Sequence, residues 1–73
     1  MTEQSEDHLA AARHHIAEAE QRVAHQRALV RQLAADGHDT TAAEAFLRTL
    51  LDTLDVMRQH LQQILDERAG MAE

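Results

Sequence analysis

Ala35-Asp36-Gly37-His38-Asp39-Thr40-Thr41 is the stretch of the 73-residue chain at which a helical pattern is told to stop and restart. Gly37 is one of two glycines, and no proline occurs. After Leu33-Ala34-Ala35 it suits the left-handed residue that follows a helix and lets the last carbonyls find donors. Asp39, Thr40 and Thr41 then offer oxygens to cap the next helix. Thr41-Ala-Ala-Glu44 has the spacing in which a hydroxyl and a carboxylate satisfy free amides reciprocally. The chain is therefore expected to be all-α: an antiparallel two-helix hairpin with helices over about 6–35 and 41–68. Ser5 is the expected first cap and Gly70 the expected last stop, with 1–4 and 70–73 frayed.

Working back from the turn, Leu9, Ile16, Val23 and Val30 recur every seven residues, and Ala12, Ala19, Gln26 and Leu33 stand three further on. This is a heptad seam whose second set is mostly alanine, so a neighbouring helix can approach closely. Gln26 is its polar member, and such a residue either fixes register or turns outward. Working forward, Leu47, Leu50, Leu54, Met57, Leu61 and Ile64 form a seam in steps of three and four, widened by Leu51 and Leu65 on one side and Phe46 on the other. A two-stranded seam uses about two apolar positions in seven, and this stripe carries more. Its width is that of a helix inside a bundle.

Folding back at Gly37 sets Val30 against Ala43, Val23 against Leu50, Ile16 against Met57 and Leu9 against Ile64, with Ala19 meeting Leu54 and Ala12 meeting Leu61. On the flanks the same register brings Arg27 to Glu44, Leu29 to Phe46 and His15 to His60. A lone hairpin would leave much of the second helix's stripe in water. The expectation is a homo-oligomer, first of all a two-fold dimer forming a four-helix bundle, through Leu47, Leu50, Leu51, Leu54, Met57, Leu61, Ile64 and Leu65.

Composition narrows the classes. The formal charge is −6, with seven arginines, no lysine and no basic run, which leaves little positive potential for phosphates, so nucleic acid is not an expected partner. Phe46 is the one aromatic residue, which removes base stacking and a ring-walled cofactor pocket. There is no cysteine, hence no disulfide or thiolate chemistry. No apolar run approaches a membrane span, the start of the chain is acidic where a secretion signal is basic, and the polar faces carry acids that anionic lipid repels. A cytoplasmic chain with no membrane partner is expected.

Six histidines are the compositional oddity: His8, His14, His15, His25, His38 and His60. His14 or His15 with Glu18, and His60 brought over by the fold-back, is a conceivable metal set. No His-x-x-x-His pair, Glu-x-x-His motif or HExxH supports it, and the simpler expectation is solvated imidazoles beside the seam, with no cofactor. Imidazoles at an interface can nevertheless tie assembly to pH between roughly 5 and 7. Asp52, Asp55, Asp66 and Glu67 are expected to be solvating charge. Ser5, Thr40 and Thr41 are accounted for by capping, and neither a triad nor a phosphate loop occurs, so an enzyme is not expected.

The run from His15 to Leu33, then Asp36-Gly-His-Asp-Thr-Thr-Ala-Ala-Glu-Ala and Leu47 to His60, resembles a group of short bacterial stand-alone helical-hairpin proteins, mostly of uncharacterised function, over residues 14–65. The resemblance implies the hairpin fold and names no active site. The expected role is a small self-associating interaction or regulatory module. A metal-binding bundle and an antitoxin-like adaptor for a helix of another protein are the alternatives.

Overall fold

Between Thr2 and Ala35 there is neither glycine nor proline, and alanine, arginine, glutamine and glutamate dominate, so no residue opposes a helix over the whole run. The computed structural model describes residues 2–71, and the side chains of 7–70. Helix α1 spans Thr2–Ala35 and helix α2 spans Thr41–Met71, with no strand among the described residues. Both helices are longer than expected. α1 starts ahead of Glu6, so Ser5 lies inside it rather than at its cap, and α2 continues past Arg68 through Gly70. The reason is local. A glycine lowers helix propensity without stopping a helix unless the backbone turns left-handed, and Gly70, unlike Gly37, has no positive φ. Thr2–Gln4 and Gly70–Met71 are thus helical where fraying was expected. Met1, Ala72 and Glu73 lie outside the described residues.

Gly37 takes φ +79°. The left-handed step points its amide at the carbonyl of Ala34 (3.1 Å) and the amide of His38 at that of Leu33 (2.9 Å), while Asp36 donates to Gln32 (3.0 Å). Three carbonyls that the end of α1 leaves free are satisfied in this way. The Gln32 side chain also donates to both carboxylate oxygens of Asp36 at 3.1 Å, bracing the exit.

α2 begins on a carboxylate. Asp39 Oδ1 accepts from the Thr41 amide at 2.9 Å and from the Thr41 hydroxyl at 2.6 Å. The Glu44 amide donates to the Thr40 carbonyl at 2.8 Å, which makes Thr40 the half-helical residue. The reciprocal Thr41–Glu44 cap therefore does not form. The helix starts one residue too early for it, and Asp39 already engages the Thr41 hydroxyl. Those bonds from Thr41, side chain first and amide second, hold the Asp39 carboxyl below its ordinary range.

The seams meet as the heptads require. Leu9, Ile16 and Val23 of α1 and Leu54 and Ile64 of α2 are buried, and Ala19, Leu47, Leu50, Leu51, Met57 and Leu61 pack against the Ile16, Val23 and Leu54 cluster. Gln26 turns inward and is 7% exposed. Its Nε2 donates to the Ala43 carbonyl at 3.0 Å, one helical turn from the Val30 expected there. The product is a rod of 57 × 16 × 12 Å with a radius of gyration of 16.8 Å. A compact domain of this length would have about 11 Å.

Candidate functional site

A two-helix rod has two long edges where side chains flank the seam, and here they differ in chemistry. On one edge, Arg58 donates to Glu20 at 3.3 Å, and the two share a depression with Arg27, Leu51 and Leu54. This is the ion pair of that edge, in place of the expected Arg27–Glu44 pair, which is not formed. Flanking positions can meet one heptad to either side, and Glu20, which would otherwise face Leu51, takes the cation instead. Both partners are half exposed, so the pair contributes roughly 0.2–1 kcal/mol.

The opposite edge exposes Phe46 and Val56 and carries imidazoles beside Glu18, Gln21 and Arg22. Near the turn a depression of about 320 Å³ lies between Phe46 and His25 and is floored by Gln26 and Leu50. The next shares Glu18, Arg22 and Leu50 with the first and extends to His15 and Met57. A third shares His15 and Met57 and reaches Ala12, Val56 and His60. The three lie in line along this edge of the rod, each sharing lining residues with the next. Here Phe46 is 54% and Val56 62% exposed, the two most exposed large apolar side chains among the described residues.

The expected interface residues divide. Leu54 and Ile64 are buried by α1 within a single hairpin. Leu47, Leu50, Leu51, Met57, Leu61 and Leu65 are half-buried, because an alanine-lined partner covers the middle of a wide stripe and leaves its margins open. The freely exposed apolar surface is Phe46 and Val56, with Leu29 at 41% on α1. With Leu29 and Phe46 both this open, neither buries the other. Phe46 instead lies over the depression nearest the turn, beside His25 and Gln26. Val56 went unpredicted because it stands alone on the outward side of the heptad. Only tracing Phe46, Thr53, Val56 and His60 in steps of seven, three and four reveals the line.

The conceivable ligand set His14, His15, Glu18 and His60 is not gathered. His14 Nε2 lies 3.4 Å from Glu18 Oε1, one turn along the same helix and well exposed. His15, the next residue, points about 100° away around α1 and into the second depression. His60 packs its ring against His8, at 5.9 Å between centroids, rather than against His15. No group of three or more His, Cys, Asp or Glu is placed to hold a metal ion among the described residues. No buried side-chain nitrogen or oxygen lacks a hydrogen-bond partner among them either. Among the described residues, no helix is long and apolar enough to cross a membrane.

The chain matches no protein-family model, no curated protein and no solved structure.

Proposed function

We propose that this chain is a small self-associating helical hairpin, an interaction module without catalysis, in which two copies join along the Phe46 edge to make a four-helix bundle. The observation that carries this is the placement of Phe46 and Val56, more than half exposed, on one edge of the rod, over neighbouring depressions lined by half-buried Leu50 and Met57. A second hairpin laid there would cover all four together. Burying a Phe or Val fully returns roughly 1.5–3 kcal/mol, and these two keep most of that gain in reserve.

A second copy suits the edge's charge as well as its shape. Glu18 and Arg22 line it four residues apart, and the ion partner of Glu18 is His14 rather than Arg22. A two-fold axis between them sets each Glu18 opposite the other copy's Arg22, the self-complementary arrangement that an isologous interface needs. The rod shape points the same way, since among the described residues a single hairpin buries only five apolar side chains and none of them below 2% exposure.

Thermal unfolding followed by circular dichroism over a hundredfold range of chain concentration tests the proposal. Coupled folding and association raises the melting temperature with concentration. A melting temperature independent of concentration, in a well-folded chain, contradicts it.

A further inference from the structure

We propose that His8 on α1 and His60 on α2 form an interhelical two-histidine site for a late first-row divalent metal ion. Both ligands belong to one hairpin, and His60 also lines the edge that a second copy would cover, so the site is one of the single hairpin. Their ring centroids are 5.9 Å apart and the planes are tilted by 45°. A coordinated imidazole nitrogen lies ~2.1 Å from the metal and ~1.1 Å from its own ring centre, so two rings on one nickel or copper ion have centroids ~4.5 Å apart at ~90° and ~6.4 Å apart at ~180°. The observed separation lies between these two limits, so rotation of the two exposed side chains has to bring their nitrogens onto one ion.

Both residues are exposed in the single hairpin, so water can complete the coordination. Two imidazoles plus water suit nickel or copper better than a closed structural zinc site, and imidazole is a ligand that these ions favour. The formal charge of −6 raises the local concentration of any cation. His14 and His15 are also within 6.2 Å, but they are adjacent on one helix, where side chains diverge, and an ion held there would tie α1 to nothing. An ion shared by His8 and His60 instead clamps the open end of the hairpin, far from the turn. Metal bound to the folded state and not to the unfolded chain raises stability by mass action.

The experiment uses the full chain without a histidine tag, at neutral pH, with Ni(II) as the probe and melting temperature as the readout. At free Ni(II) about five times its dissociation constant, the melting temperature should rise by roughly 4–8 °C and return on adding a chelator. His8→Ala and His60→Ala should each remove most of that rise, and the double variant no more than either, since one ion needs both rings. Both positions are exposed, so the variants keep their helicity. His14→Ala and His15→Ala should retain the shift. No shift at millimolar Ni(II), a shift that survives His8→Ala or His60→Ala, a shift lost only in His15→Ala, or a Ni(II)-dependent doubling of mass that shows bridging between copies would each overturn the proposal.

Discussion

The side-chain amide of Gln26 crosses the helix interface and donates to the backbone carbonyl of Ala43 at 3.0 Å, with the glutamine 7% exposed. A buried glutamine in a heptad seam is tolerable only when paired, and here its partner is fixed backbone near the start of α2. The bond therefore ties one place on α1 to one place on α2. Sliding either helix by a heptad would break this bond and set Gln26 against the larger Leu50 instead of Ala43.

Gln26→Ala removes the bond and leaves a gap, and should cost about 1–2 kcal/mol. Gln26→Leu should cost less or nothing, since the Ala43 carbonyl keeps its place in α2 while apolar surface is gained. What Gln26→Leu loses is uniqueness of register. Urea unfolding measures the first effect. Doubled or broadened amide resonances around Ala43 and Leu47 would report the second.

A methyl group on Gly37 would meet open space, but the residue holds a left-handed φ of +79°, so substitution there is opposed by backbone conformation alone. Gly37→Ala should destabilise by about 1–2 kcal/mol and Gly37→Asn by less, because asparagine visits this region more readily. Equal losses for the two, read by urea midpoints, would point to crowding instead.

Asp39 supplies the pH dependence. Its carboxyl is lowered from 3.8 by the Thr41 hydroxyl and amide. A group lowered in the folded state contributes stability above its unfolded value and loses that contribution as pH falls through the folded one. Asp39→Ala should therefore unfold at lower urea than the parent at pH 7. The gap should begin to close as pH falls below about 3.8 and continue closing as the folded carboxyl takes up its proton. A gap that stays constant down to pH 2 would show that the cap does not depend on the charge.

Leu54, at 3% exposure, and Arg58 one turn later separate core from edge. Leu54→Ala should cost about 2–5 kcal/mol, a large part of what a chain of this size possesses, whereas Arg58→Gln should cost about 1 kcal/mol or less. Chemical denaturation of the two variants side by side checks the contrast.

The hairpin was legible because its signals are local. Gly37 stops one helix, and Leu9, Ile16 and Val23 repeat at seven against Leu54 and Ile64. The helix ends were less so. Ser5 and Gly70 are residue types that favour boundaries without enforcing them, and helix propensity carried both helices past them. At the turn, whether Asp39 or Thr41 becomes the capping side chain hangs on a one-residue shift that composition does not resolve. The Phe46 edge was the hardest to foresee. Flanking residues choose among partners a heptad apart, so His60 could face His8 or His15 and Glu20 could face Leu51 or Arg58. Only the packed helices decide, and Val56 acquires meaning only once its neighbours on that edge are known.

The most direct test of the central claim is sedimentation equilibrium of the purified chain beside Phe46→Ser/Val56→Ser, across a concentration series at neutral pH in the presence of chelator. Self-association along the Phe46 edge predicts a parent of dimeric or higher mass. It predicts a double variant that shifts to monomer while keeping its helical content, since both side chains are exposed in the single hairpin. A folded parent that stays monomeric throughout the series, or a double variant that associates as strongly as the parent, would contradict it.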